Sequence, residues 1–152
     1  MNKKELKEVV LTNMVMIQSQ DGKVLVEDRV DRNWPGLAFP GGHVRYRESL
    51  VASAIRETKE ETGLDVKDLR LVGLKEDVFR SYRYLVFLFK TSTYSGTLRS
   101  SKEGKVFWLS PREFKLHRLS PEFEGIFKVM TNERLAESYA LWSKGKYKEE
   151  LL

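Results

Sequence analysis

The sequence predicts an α+β fold in which a mixed β-sheet packs against helices, and three observations lead there. The order along the chain is strands, helix, strands, helix. Several stretches are rich in β-branched and aromatic residues, and Tyr84-Leu85-Val86-Phe87-Leu88-Phe89 is apolar on both faces, as a central strand has to be. The 152 residues, 41% of them apolar, suffice for one hydrophobic core, so a single domain over residues 1–152 is expected.

Residues 9–17 are β-rich and mostly apolar and read as a buried strand. Gln20-Asp21-Gly22-Lys23 is a turn signal and Val24-Leu25-Val26 restarts a strand, so residues 9–29 predict a β-hairpin. Residues 34–42 contain two prolines and three glycines and read as a loop with a short extended core. Residues 48–62 read as a helix, with Ser49 or Glu48 to cap its start and Gly63 where a left-handed stop belongs. Val51, Ala54, Ile55 and Thr58 form its apolar stripe, which leaves Glu57, Glu60 and Glu61 toward the helix edge and its open side. Residues 69–79, 82–93 and 106–109 are further strands. Residues 120–143 read as a second helix, with Pro121 in its first turn and Phe123, Ile126, Phe127 and Met130 at helical spacing. There is no internal repeat and no low-complexity linker.

Composition removes several function classes. No apolar run approaches the roughly 18 residues needed to span a bilayer, and the first residues carry no cleavage-site pattern, so neither a membrane protein nor a signal peptide is expected. With no cysteine there is no disulfide framework and no thiolate metal site, and a cytoplasmic protein is the simplest expectation. The net charge of +5 suits nucleotides or other polyanions. The basic residues are scattered, however, and the lysines of the tail are offset by Glu149 and Glu150, which argues against nucleic acid as the partner.

The chemistry concentrates in residues 42–64. Residues three and four apart share a side of a helix, so Glu57, Glu60 and Glu61 put three carboxylates on one patch. Their mutual repulsion destabilises the helix unless a cation sits among them, and Mg²⁺ or Mn²⁺ prefer such oxygen ligands. The plain alternative is a solvated helix face with scattered ion pairs. The spacing is more specific than the cluster: Gly42, five residues, Glu48, seven residues, then Arg56-Glu57-x-x-Glu60-Glu61-x-Gly63-Leu64.

This pattern resembles the Nudix box, the signature of hydrolases that cleave a nucleoside diphosphate linked to another group. Every charged and glycine position is filled; Thr58 stands where the family usually has an aliphatic residue. The resemblance implies a mixed β-sheet between helices, an α/β/α sandwich, and a Mg²⁺ cofactor with Mn²⁺ as substitute. It implies Glu57, Glu60 and Glu61 as metal ligands, with the Gly42 carbonyl adding an oxygen. Arg56 would pair with the box carboxylates and fix their rotamers, with Glu48 in the same network. Glu103 lies in the loop where many family members carry a further ligand or general base, although a box glutamate can also be the base. Its plain alternative is a turn glutamate.

For the substrate, Arg29 at the end of the second strand can reach a phosphate, Phe39 and Trp34 can stack on a base, and Gly41 with Gly42 lets backbone approach closely. The plain counterpart of Arg29 is a solvated strand-end charge, and that of the two aromatics is a place in the core. His43, Phe79, Tyr82 and Tyr84 are candidate pocket residues, while Phe107, Trp108 and His117 are read as packing or loop residues. The run Phe39-Pro40-Gly41-Gly42-His43-Val44 is most similar to the MutT-type nucleoside triphosphate group. It implies release of a nucleoside monophosphate and pyrophosphate from a small-molecule nucleotide such as 8-oxo-dGTP, by a monomer or homodimer. ADP-ribose, a dinucleoside polyphosphate or the 5′ end of RNA stand as alternative substrates. A nucleotide-sensing module without catalysis stands as an alternative of another class.

Overall fold

The computed structural model describes residues 8–152. Its elements run β1 (Glu8–Ile17), β2 (Val24–Arg29), β3 (Gly36–Ala38), α1 (Leu50–Thr62), β4 (Leu64–Lys67), β5 (Arg70–Val78), β6 (Tyr82–Thr91), β7 (Thr93–Gly96), β8 (Gly104–Leu109), a 3-10 turn (Pro111–Leu116), α2 (Phe123–Thr131), β9 (Glu137–Ser143) and β10 (Lys146–Leu151). Five strands make a mixed sheet in the order β1-β6-β5-β9-β10, in which β1/β6 and β5/β9 are parallel. A three-stranded antiparallel sheet β3-β2-β8 and a short β4-β7 pair stand beside it.

Side chains alternate across a strand, and β1 divides between two cores accordingly. Val15 and Ile17 pack with Ala54 of α1 and Phe89, whereas Met16 packs with Phe123, Ile126, Val129 and Met130 of α2. The large sheet is thus the layer between the two helices, as the resemblance to the Nudix family implies. β6 has a partner on each edge, which its doubly apolar run requires.

The structure corrects three expectations. Residues 9–29 do not form a hairpin ladder. β1 pairs with β6 over its whole length, and β2 lies between β3 and β8, so a single bridge, Gln18 with Val24, survives at the turn. The free edge of β1 takes the loop before α1 instead, through Asn13 N–H to Gly42 C=O (2.9 Å), Val15 N–H to Pro40 C=O (2.8 Å) and Val44 N–H to Leu11 C=O (3.0 Å). Turn residues fix a reversal of the chain, but burial decides pairing. Val24, Leu25 and Val26 are all buried, which a second sheet packed on both sides provides.

The second correction concerns α1. Its start and stop match expectation: Ser49 Oγ accepts from the Ala52 N–H, and Gly63 takes the left-handed conformation (φ 76°). Its buried face does not follow the apolar stripe. Val51 is 45% and Ile55 37% exposed, while Ser53, Ala54, Thr58, Glu61 and Thr62 are buried. Those positions follow one helical face, and Glu57 falls on it too. Ser53 and Thr62 find partners at close range there, whereas the buried Thr58 hydroxyl has none. Ser53 Oγ accepts from Asn13 Nδ2 (2.8 Å), and Thr62 Oγ1 donates to the Thr58 carbonyl (2.6 Å).

Third, the helix read over residues 120–143 ends at Thr131. The Asn132 side chain accepts from the Arg134 N–H (3.0 Å), an Asx turn that halts the helix, and residues 137–143 become β9. The inward residues of β9 beside β5 are Ser138 and Ala140, too small and too polar to announce a strand.

Candidate functional site

One cavity of about 810 Å³ opens between the N-terminal loop of α1, the face of the large sheet that carries α2, and the loop before β8. Its two ends differ in chemistry.

At the first end the box residues converge. Arg56 is the hub: its Nε and Nη2 donate to the two Glu48 oxygens (2.7 and 2.9 Å), its Nη1 to Glu57 (2.7 Å) and Glu60 (3.2 Å), and its Nη2 to the His43 carbonyl (3.0 Å). These contacts raise the Arg56 pKa and hold Glu48 down at about 2, the Arg56 hydrogen bond being the largest cause. Arg45 adds a contact to Glu60 at 3.3 Å. The guanidinium therefore orients three carboxylates and the loop backbone at once.

Glu57 and Glu61 continue the buried face of α1 into the cavity, and Glu60 stands at its rim, half exposed. Glu61 accepts from the Gly41 N–H at 2.9 Å. Burial first, and then the neighbouring Glu27 carboxylate, push its pKa up to about 8. A Cβ at Gly42 would stand 2.5 Å from the Glu57 carboxyl carbon, so only glycine lets the loop lie against that carboxylate. The Gly42 carbonyl accepts from both Asn13 N–H (2.9 Å) and Asn13 Nδ2 (3.2 Å), which engages the oxygen expected to serve a metal. Among the described residues no three acidic or histidine side chains converge closely enough to enclose an ion, because Arg56 draws Glu57 and Glu60 while Glu61 turns to Gly41. The donors nevertheless suit a hard divalent cation. They are all carboxylate oxygens, and one of them is buried beside like charge, an arrangement that a cation relieves.

Arg29 and Glu103 face this end across the cavity. Arg29 Nε is buried without a hydrogen-bond partner, and its ion-pair distance to Asp31 is 3.9 Å, at the limit of a contact. The Glu103 loop is fixed to β2 by Val30 N–H to Glu103 C=O (3.1 Å) and stiffened by Glu103 N–H to Ser101 Oγ (3.1 Å).

At the second end the cavity is lined by Trp34, Phe79, Tyr82 and Tyr84, with Lys75 and Asp77 of β5 between them and the α2 core. Phe79 stacks on Tyr82 (4.7 Å) and on Trp142 (5.6 Å). Phe39 is 2% exposed and stacks on Phe123 (4.9 Å), so it belongs to the α2 core and reaches the cavity only as part of its floor. His43 sits edge-on to Tyr84 in the wall, whereas His117 packs on Phe107 away from the cavity.

The sequence reading missed Asn13, Glu27, Lys75, Asp77 and Glu122. Their shared signal is a polar residue where strand or core periodicity calls for an apolar one. Asn13, Glu27, Lys75 and Asp77 are buried positions of β1, β2 and β5, and Glu122 caps α2 in the left-handed region (φ 65°).

A family model described as NUDIX domain matches residues 9–130. The Nudix hydrolase YvcI of Bacillus subtilis is 33% identical over 104 residues, covering 64% of this chain and 63% of that protein, just under two thirds of its length. A MutT-like protein of Streptomyces ambofaciens is 31% identical over 128 residues, covering 83% of this chain and 69% of the relative. Among solved structures, the MutT mutator protein from Bacillus halodurans superposes with a TM-score of 0.77 at 25% identity, covering 93% of this chain and 97% of the other.

Proposed function

We propose a reaction for this chain from the premise that it belongs to the NUDIX domain family and is a MutT-type Nudix hydrolase. The reaction is hydrolysis of a nucleoside diphosphate linked to another group, with a nucleoside triphosphate such as 8-oxo-dGTP as substrate and a nucleoside monophosphate and pyrophosphate as products. The observation that carries it is the placement of Glu57 and Glu61 on the buried face of α1, opening into a cavity shared with Arg29, Glu103 and an aromatic wall. Such a cavity suits a ligand that is anionic at one end and aromatic at the other.

Glu57, Glu60 and Glu61 would hold Mg²⁺, or Mn²⁺ in its place. When bound, the cation neutralises phosphate charge and acidifies a water. Arg56 holds the carboxylates in position rather than touching substrate, because all its donors are already spent on Glu48, Glu57, Glu60 and the His43 carbonyl. Arg29 brings a buried, unpartnered donor to the phosphates. Glu103, on a loop fixed to the end of β2, takes the proton from the attacking water at its carboxylate. The intact carboxylate set speaks against a silent nucleotide sensor, since sensing alone does not need it.

The test is a panel of nucleoside triphosphates, ADP-ribose and dinucleoside polyphosphates with Mg²⁺ in ¹⁸O-labelled water. Label in the monophosphate or pyrophosphate of a triphosphate supports the reading and names the attacked phosphorus. Hydrolysis confined to the other two substrate classes overturns the triphosphate assignment, and no hydrolysis of any substrate overturns the reaction.

A further inference from the structure

The large sheet has two edges, and only one of them is covered. At the first, β1 takes the loop before α1. At the second, β10 is last in the strand order, and among the described residues no strand lies outside it. Glu137 and Leu152 exchange both backbone hydrogen bonds (2.9 and 3.0 Å). Such pairs alternate along an antiparallel ladder, so Lys146, Lys148 and Glu150 turn their backbone groups to β9. Tyr147, Glu149 and Leu151 therefore turn theirs outward, to the open edge.

A bare edge is ordinarily blunted by a proline, a bulge or a row of lysines. β10 runs for six residues without proline, and its register with β9 is unbroken. Its exposed charges change sign along one face, from Lys146 and Lys148 to Glu150. β9 and β10 also lie beyond residues 9–130, so this edge is outside the part of the fold that the family model describes.

We propose that β10 pairs antiparallel with β10 of a second copy about a twofold axis at Glu149, joining two five-stranded sheets into one. The register follows from the strand itself. Only the outward residues can form hydrogen-bonded pairs, so Glu149 faces its own equivalent and Tyr147 faces Leu151 of the partner subunit. Between them Lys148 stands opposite Glu150 of the partner subunit, and by symmetry Glu150 opposite the partner's Lys148. These are non-hydrogen-bonded positions, where side chains come closest. Moving the axis by one residue either way sets Lys148 against Lys148 or Glu150 against Glu150, so charge picks the first register.

The like-charged pair at the axis is relieved by direction. Glu149 accepts from Ser138 Oγ on β9 (2.7 Å), and its carboxylate lies against Gly125 of α2, where a Cβ would collide with it. It is thus turned inward, away from the edge. The buried cluster on the same side, Lys75 Nζ at 2.5 Å from Asp77 and 2.7 Å from Glu122, centres on β5, inward of β9. On that side the pairing brings Tyr147, 40% exposed, onto Leu151, which already packs on the α2 core. A twofold contact of this kind closes on itself, and with the β1 edge taken it gives a dimer.

Sedimentation velocity over a dilution series tests this. The wild-type chain is expected to run as a reversible dimer. Lys148→Glu and Glu150→Lys, both at exposed positions, are each expected to weaken dimerisation at least about tenfold, because each turns two attractive cross-strand pairs into repulsive ones. Combining the two reversals restores both pairs in the opposite sense and should bring the dissociation constant back to within about threefold of wild type. A wild type that stays monomeric up to its solubility limit overturns the proposal. So does a dimer that is indifferent to the single reversals, or one that the double reversal does not restore. The readout needs neither nucleotide nor turnover, so its failure is separate from failure of the hydrolase reading.

Discussion

Arg56 and Lys75 are both cations set among carboxylates around one cavity, and the protein holds them in opposite ways. Arg56 spends its donors on hydrogen bonds of 2.7 to 3.2 Å to Glu48, Glu57, Glu60 and the His43 carbonyl, at a partly exposed helix face. Lys75 is almost wholly buried, and its two carboxylate contacts lack hydrogen-bond geometry. A planar guanidinium with five donors suits a rigid network, whereas an ammonium is a point charge that tolerates poor angles. The difference is one of geometry: one end holds its carboxylates in fixed directions, and the other balances buried charge without fixing direction.

The largest expected effect is on stability at the second end. Lys75→Ala leaves Asp77 and Glu122 facing each other without a cation, which costs about 3–5 kcal/mol in urea unfolding, the penalty for breaking a buried pair. A cost near zero would erase the contrast. At the first end the large effect is on rate: Glu57→Gln is expected to lower turnover on the order of a hundred- to thousandfold, with a nearly unchanged melting temperature. A melt that falls in step with activity would make Glu57 structural.

Arg56→Ala should lower kcat about ten- to a hundredfold, as loss of a group that orients ligands does, and kcat should fall more than KM rises. An effect confined to KM would make Arg56 a substrate contact. Glu103→Gln should slow hydrolysis at least about tenfold, a modest share of general-base catalysis; no slowing returns Glu103 to an ordinary turn residue.

The smallest effect is a pH dependence, and it bears on both ends, because each holds a carboxylate whose pKa is raised chiefly through burial: Glu61, up to about 8, with Glu27 beside it at the first, and Glu122 at the second. A carboxyl whose folded pKa lies above its ordinary value binds its proton more tightly in the folded state. Its contribution to stability is complete below the ordinary pKa and is lost as pH rises through the folded one. The urea midpoint of the metal-free protein should therefore fall between about pH 4.5 and pH 8 and level off above that. Mg²⁺ should remove the Glu61 share and leave that of Glu122, and Glu61→Gln should do the same without metal. A slope that Mg²⁺ does not alter would separate Glu61 from any cation.

The order of residues alone carried the helix of residues 50–62, its cap and stop, and the strands β5, β6 and β8, through neighbours within one or two helical turns and through strand periodicity. The gathering of Arg56 with Glu48, Glu57 and Glu60 was legible only through the resemblance to the Nudix box. Only the tertiary structure decided which face of α1 is buried, that β1 and β2 part into different sheets, that β9 follows α2, and that Lys75, Asp77 and Glu122 meet. Such contacts join residues tens of positions apart and depend on which polar groups find partners once water is excluded, a condition that no local pattern records.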